Sequence, residues 1–341
     1  MRLDNDEKEF GIAIRKTALA TNVLDVYVEK DHWLFLLLRE IFKNNERGYV
    51  FKGGTSLSKC HHVINRFSED IDISYSSSFS SINSGEIKRK FKGITKAIKE
   101  VGLEISNANK LRWNRYFNQF QCPYISHCKD ESINKQVIIE LAAQTPSFPS
   151  DKKLFSSFIG DYYESIGRHD FIVKYELEPF SIEVQTLART LVDKTFAICD
   201  YYLTNKCRRH SRHLYDISKL LAEVEMNQNL VNLYNEVRGM RAKIKVCISA
   251  QEGVSLSEVL TKIIDEEPFK EDYETLTMPL LYEDYPYNLC KESLTKLRNF
   301  LKESEMIKEA SIVNAGLNDL DNNKVTDGEK ALKTLKKKHN L

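Results

Sequence analysis

The stretch Phe51-Lys-Gly-Gly-Thr-Ser-Leu-Ser-Lys59, followed at Arg66 by Phe-Ser-Glu-Asp-Ile-Asp-Ile-Ser74, constrains this chain more than any other. The apolar run Tyr49-Val-Phe51 reads as a strand feeding the pair Gly53-Gly54. Adjacent glycines let a backbone turn sharply and approach a ligand where a Cβ would intervene. Thr55-Ser56 opens a predicted helix from Leu57 to about Val63, and a helix start offers unpaired N–H groups to a phosphate. Asp70 and Asp72 then alternate with Ile71 and Ile73, a strand pattern that sets both carboxylates on one face. Like charges side by side are costly unless a cation neutralises them, and hard divalent cations prefer oxygen ligands. A phosphate cradle plus a metal-holding carboxylate pair is the minimum equipment for nucleotidyl transfer. No Gly-Lys-Ser/Thr follows at Walker A spacing, and the three spaced glycines of a Rossmann turn are absent.

Lys52-Gly-Gly-Thr-Ser-Leu-Ser-Lys59 with Arg66-Phe-Ser-Glu-Asp-Ile-Asp72 resembles the AbiEii/AbiGii family of nucleotidyltransferase toxins, within the DNA polymerase β-like superfamily. Two later blocks strengthen the likeness. Val192-Asp-Lys-Thr-Phe-Ala-Ile198 is similar to a family helix carrying a lysine, with Asp193 where the family has Glu. Ser211-Arg-His-Leu-Tyr-Asp216 is similar to a family Arg-(Asp/His)-Leu-Tyr-Asp element. Together the blocks cover about residues 48–221.

Length and composition set the frame. The 341 residues suffice for two domains, and 13 glycines with 7 prolines favour a helix-rich fold with few turns. A net charge of +1 means that any basic surface must be local. The seven cysteines are scattered and form no Cys-x-x-Cys, which predicts reduced, mostly buried thiols. No apolar leader opens the chain and no window approaches 18 apolar residues, so a cytoplasmic protein is expected.

Taken in order, residues 6–20 and 23–43 read as helices, the second a core helix around Trp33-Leu-Phe-Leu-Leu-Leu38. Ser74 to Ser81 is a polar loop beside the site, either a plain connection or a gate. A helix over about 84–101 precedes predicted strands at Leu103–Ile105 and Arg112–Cys122. Gln136-Val-Ile-Ile-Glu-Leu141 reads as a central strand, and Phe180-Ser-Ile-Glu-Val184 as another. Residues 151–175 show no period that places them. From Thr186 onward the pattern is helical, with Arg209, Arg212 and Asp216 expected on one helix face at i, i+3, i+7.

The fold expected is α+β. A nucleotidyltransferase (polymerase β-like) mixed-sheet core over 48–186 follows an N-terminal helical brace over 1–47. A C-terminal helical domain over 187–310 and a basic tail over 311–341 complete the chain. The resemblance implies Mg²⁺, one or two ions, held by Asp70 and Asp72. It also implies a third carboxylate on a neighbouring strand: Glu140, with Glu183 as competitor. It implies catalytic roles for Lys194 and Asp216, the aspartate orienting Lys194 or Arg212. Nucleotide binding carries over to Lys52, Gly53, Gly54, Thr55, Ser56, Arg66, Ser68, Lys194, Arg209 and Arg212.

The activity implied is transfer of a nucleotide from a nucleoside triphosphate, with release of pyrophosphate, in a type IV toxin–antitoxin or abortive-infection (phage-defence) system. The implied acceptor is the 3′ end of tRNA, and the implied opponent is an antitoxin that need not bind the toxin. Modification of a protein or small molecule, or nucleotide binding without catalysis, remains the alternative. An RNA acceptor calls for uneven charge, with Lys110, Arg112, Arg115, Arg208, Arg209 and Arg212 as contributors and Trp113, Tyr116 and Phe117 as stacking surfaces.

Overall fold

The structure, a computed structural model, describes residues 1–43, 48–76, 84–113, 116–129, 133–142 and 145–321. Its strands are β1 (Tyr49–Lys52), β2 (Asp70–Tyr75), β3 (Phe117–Pro123), β4 (Gln136–Ala142), β5 (Ser150–Phe155) and β6 (Phe180–Gln185). They form one mixed sheet in the order β3-β4-β2-β1-β6-β5, with β2–β4 and β1–β6 parallel and the other pairs antiparallel.

Alternation gives the sheet two chemically different faces. Register carries Phe51, Ile73, Leu141 and Val184 across one face, joined by Ile71, Ile139 and Phe120. All of these are buried, and helices α1 (Glu7–Thr21), α2 (Asp25–Phe42), α4 (Ser84–Glu100) and α5 (Phe158–Ser165) belong to the same core. Phe35 of α2 meets Phe155 at 6.4 Å and Phe180 at 5.5 Å, and Phe91 of α4 meets Phe120 at 5.2 Å. Edge-on and offset aromatic contacts of this kind add to the area they bury. The other face carries Lys52, Asp72, Glu140 and Gln119 in one register row, an assembly that no apolar layer can cover.

A second core is built by α7 (Leu187–Leu203), α8 (Arg212–Glu223), α9 (Gln228–Arg241), α10 (Leu256–Glu266) and α12 (Tyr287–Asp321). The one-turn helix α11 (Lys270–Asp272) lies in the connection between α10 and α12, and α6 (His169–Tyr175) flanks α5 in the first core. Helix α3 (Gly53–Lys59) stands between the cores: Leu57 and the following Ile64 pack into the second, while Cys60 packs into the first. The loop after α3 is tied to the second unit by Phe67 N–H to Leu280 O (3.1 Å), Tyr282 N–H to Asn65 O (2.9 Å) and Asn65 N–H to the Tyr215 hydroxyl (2.8 Å). On its other side Tyr27 stacks on Phe67 at 3.7 Å, and the buried Lys30 pairs with Glu69.

Several expectations change. The helix predicted from Leu57 to Val63 instead runs from Gly53 to Lys59, so the glycine pair forms its first turn. It stops because His62 takes a left-handed conformation and Val63 N–H turns back to Leu57 O. Leu103–Ile105 is not a strand: Asn107 bonds Gln119 O and Gln121 N–H, taking the edge of β3 that another strand would use. The strand predicted from Arg112 begins at Phe117, and residues 150–175 contain β5, α5 and α6. The apolar run in α2 is buried as a core helix, and no helix among the described residues is long and apolar enough to cross a membrane. The seven cysteines are free thiols, six of them buried. Most of the polar loop after Tyr75, and the tail beyond Asp321, lie outside the described residues.

Helix α2 is locked to α3 through Asp31, which is 4% exposed. Lys59 Nζ lies 2.8 Å from its Oδ1, and Phe158 N–H donates to its Oδ2 at 2.6 Å. Lys59→Ala leaves a buried carboxylate without its cation and is expected to lower stability by about 3–5 kcal/mol. Urea denaturation reads this directly, and a loss below about 1 kcal/mol would mean that water replaces the lysine.

Candidate active site

Asp70 and Asp72 project from β2 on the polar face of the sheet, and Glu140 pairs with Asp72 across the parallel β2–β4 ladder. Glu183 has the same facing but stands on β6, two strands from β2, where its Oε1 accepts from the Ser150 hydroxyl at 2.6 Å. Register therefore sets Glu140, not Glu183, beside the aspartates. Gln119 Nε2 donates to Glu140 Oε1 at 3.0 Å, fixing that carboxylate from the next strand. Gln119 is a site residue that the sequence reading missed, although strand alternation from Glu140's partner would have exposed it.

The carboxylates repel one another, and their acidities record it. Burial and then the adjacent Glu140 push the Asp72 carboxyl up from 3.8 to about 7, with Lys52 and Lys194 opposing. Burial and the Glu69 charge raise Asp70 to about 6, against the pull of Arg212. Such groups need either a proton or a cation. Their all-oxygen chemistry fits a hard divalent ion, which commonly takes one or two carboxylates and completes its shell with substrate phosphates and water. Among the described residues no three His, Cys, Asp or Glu side chains converge tightly enough to form a closed cage. An ion here would be shared with a ligand.

The glycines make room for protein before they make room for substrate. Gly53 has φ +78°, and a Cβ on it would overlap an Asp72 carboxylate oxygen. A Cβ on Gly54 would come within 2.6 Å of Arg66 Nη2 and 2.7 Å of Ser68 Oγ. The neighbouring hydroxyls are engaged internally. Thr55 Oγ1 donates to Asp70 O at 2.6 Å and lies 3.0 Å from Ser68 Oγ, and Ser56 Oγ donates to Gly53 O at 2.9 Å. Thr55 and Ser56 are buried, so the part of this helix start that a ligand can meet is the backbone of Gly53 and Gly54, rather than that of Thr55 and Ser56 as expected.

Opposite the sheet stand α7 and α8. Asp216, fully buried, accepts a two-pronged bond from Arg66 (Nε and Nη2, both 2.8 Å) and lies 2.7 Å from Lys194 Nζ. Burial would raise the Asp216 carboxyl, but Arg66 and then Lys194 hold it far below the ordinary carboxylate range. Burial pulls Lys194 down, and Asp216 opposes that pull. His213 was also missed. Burial and the Lys194 charge keep it neutral well below its usual range, so its Nδ1 accepts from Lys194 Nζ at 3.2 Å. Its ring runs parallel to those of His210 and Tyr201, the latter stacked on His210 at 3.6 Å.

Arg66 is 2% exposed, and its donors go to Asp216 and to Phe67 O. Arg212 is exposed and faces Asp70, while Lys52 sits across from Asp72 on β1. The shared helix face expected for Arg209, Arg212 and Asp216 is not formed. Helix α8 begins at Arg212, and Arg209 lies in the preceding loop at φ +68°. The reason is distant in sequence: Asp272 accepts Arg209 N–H at 2.7 Å and Ser211 N–H at 3.2 Å, holding this loop out of the helix. Cavities of about 600 Å³ near His61 and about 1020 Å³ near Met226 lie elsewhere and contain none of these side chains.

A sheet bearing Gly-Gly and Asp-x-Asp, closed by a lysine and an aspartate from following helices, matches one family model over residues 36–299, described as nucleotidyl transferase AbiEii toxin, type IV TA system. The chain belongs to the AbiEii family. It is a nucleotidyltransferase toxin of a type IV toxin–antitoxin system, and that class implies an antitoxin counterpart. No curated protein matches it.

The raised acidities of this AbiEii site give a pH signature. Between about pH 4 and 7 the folded protein holds protons that the unfolded chain has released, so these carboxylates make stability fall as pH rises through that window. Asp72→Asn is expected to be more stable than the parent at pH 8 by on the order of 2 kcal/mol, with the gap closing below about pH 4. Mg²⁺ should raise the thermal midpoint of the parent at pH 8 and leave that of the variant nearly unmoved. Equal shifts in the two proteins would remove Asp72 from any metal site.

Proposed function

We propose that this protein transfers the nucleotidyl group of a nucleoside triphosphate to the 3′ end of a tRNA and releases pyrophosphate. The observation that carries this reading is the facing of two unlike halves. Asp70, Asp72 and Glu140 lie on the sheet, and Arg212 and Lys194 reach toward them from α8 and α7. Separated charge of this form suits a reaction in which an anionic group passes between two oxygens.

Asp70 and Asp72 would hold Mg²⁺, one ion or two, leaving the adjacent Glu140 to act as base. When bound, the metal supplies Lewis-acid neutralisation of phosphate oxygens and favours ionisation of the attacking hydroxyl. The protein's own groups do the rest. The acceptor 3′-hydroxyl oxygen bonds to the α-phosphorus as the bond to the β-phosphate oxygen breaks, and that electron pair leaves with pyrophosphate. Glu140, steadied by Gln119, takes the hydroxyl proton. Lys52, Lys194, Arg209 and Arg212 offset charge on the triphosphate, and the N–H groups of Gly53 and Gly54 meet its outer phosphates. Arg66 and Asp216 act as positioning residues: both are buried, and their bonds fix where the Lys194 amine stands.

An RNA acceptor fits the rim of the site. Trp113, Tyr116 and Phe117 are 42%, 38% and 44% exposed, values at which a ring can stack on an unpaired base. Lys110 and Arg112 beside them, and Arg208 and Arg209 before α8, are exposed cations, while Arg115 lies outside the described residues. This acceptor makes the cytoplasm the place of action.

Incubating the protein with each labelled triphosphate and total RNA should label tRNA 3′ ends in a Mg²⁺-dependent manner. Asp72→Ala should abolish labelling, and Lys194→Met should lower kcat by at least about a hundredfold in a variant whose folding is checked by circular dichroism, since Asp216 keeps Arg66 but loses a buried partner. Labelling of protein or of a small molecule alone would replace the acceptor and keep the transferase. No labelling of any acceptor by the parent protein would overturn the proposal.

A further inference from the structure

Helix α4 carries a marked local excess of positive charge. From Ser84 to Glu100 it carries six cationic side chains against two carboxylates, in a protein whose net charge is only +1. Their placement is not random. Ile87, Ile94, Ala97 and Ile98 turn into the first core, which fixes the opposite face toward solvent. On that face stand Lys88, Lys92, Lys96 and Lys99, all exposed and within an arc of about 80° at 3.6 residues per turn. Arg89 is paired to Glu86 at 2.8 Å and Lys90 is buried, so neither adds to the stripe. Lys92, Lys96 and Lys99 have no carboxylate partner among the described residues. Like charges at i, i+4 destabilise a helix by a few tenths of a kcal/mol per pair, a cost with no folding benefit here.

The stripe connects to the site round one edge of the sheet. Lys88 lies 5.0 Å from the centre of the Trp113 ring. Phe117, four residues further on, pairs with Ala142 and so shares the polar sheet face with Gln119 and Glu140. Exposed aromatic rings thus lead from the solvent side of α4 to the carboxylates. Along α4 the rise between Lys88, Lys92 and Lys96 is about 6 Å per step, comparable to the separation of successive phosphates on one strand.

We propose that the outer face of α4, continued by Arg112 and Trp113 round the β3 edge, is the docking surface for the sugar–phosphate backbone of the RNA whose end enters the carboxylate site. The proposal rests on the RNA-directed reading of that site and adds to it the body of the acceptor. Backbone contacts of this kind position a nucleic acid without reading its sequence. The end is then selected at the site, and the lysines supply affinity for the length behind it.

The test compares the parent with K92E/K96E/K99E and with K243E/K245E/K262E, which makes the same charge change on exposed lysines of the helical unit. Binding of labelled unfractionated tRNA is followed by anisotropy over a salt series without triphosphate, so no turnover is needed. The α4 variant is expected to bind more than about tenfold more weakly at 0.1 M salt, with the log–log salt slope reduced by about 2. The control variant should stay within about twofold of the parent. With turnover, the α4 variant should show a raised KM for tRNA at unchanged kcat, and unchanged labelling of a short oligonucleotide carrying only the acceptor end. Equal binding by the two variants, or a parent that binds no RNA at low salt, would overturn the docking surface. Selective loss of binding in a protein that labels no RNA would keep the surface and fail the transferase reading instead. A parent that binds anionic vesicles but not tRNA would reassign the stripe to a lipid surface.

Discussion

The two halves of the candidate site are joined through one buried carboxylate. Asp216 has no exposure at all, yet it holds Arg66 from the sheet unit and Lys194 from the helical unit at 2.7–2.8 Å. Three charges out of water are expensive, and the arrangement survives only because each finds a partner of good geometry. Arg66 spends two donors on Asp216 and a third on the carbonyl of Phe67. The trio keeps a net positive charge, and that charge sits over strands bearing Asp70, Asp72 and Glu140. The structure thus places a desolvated cation beside desolvated anions without letting them collapse into a direct salt bridge.

The sheet explains why the anions stay apart from the fold's own stability. Its apolar face is filled by Phe35, Phe155, Phe120 and their neighbours, and this packing does not need the opposite face. The polar row Lys52, Asp72, Glu140 and Gln119 is carried against burial and then mutual repulsion, which together raise the Asp72 carboxyl to about 7. Strain of this sort is concentrated at functional positions and is held there by the surrounding packing. Lys30 and Tyr27 of α2 contribute from the far side by gripping Glu69 and Phe67, which immediately precede the aspartates.

What the sequence revealed was what local pattern can encode. Alternation placed both aspartates on one face, and it placed Glu140 and Glu183 on plausible strands without choosing between them. The choice is made by strand order, a long-range property: β4 adjoins β2 while β6 lies beyond β1. Lys194, judged by its apolar flanks alone, reads as a side chain reaching for water. Only the family likeness marked it, because its partner Asp216 lies on another helix. The start of α8 was misplaced for the same reason, since the group holding Arg209 and Ser211 out of the helix is Asp272, some sixty residues on. The glycines were read as space for a ligand, and they are first of all space for Asp72, Arg66 and Ser68. No periodicity announces a clash avoided between segments far apart in the chain.

The division of the site between two cores also bears on how the protein is made. All three carboxylates are synthesised by residue 140, but Lys194 and Asp216 come later, and the strap that ties Asn65 and Phe67 to Leu280 and Tyr282 comes later still. A nascent chain still on the ribosome, or one cut between β6 and α7, carries the anionic half without the charges that complete it. The order of synthesis is thus also the order in which the two halves of the candidate site become available. The two-sided arrangement of charge can close only when nearly all of the polypeptide exists.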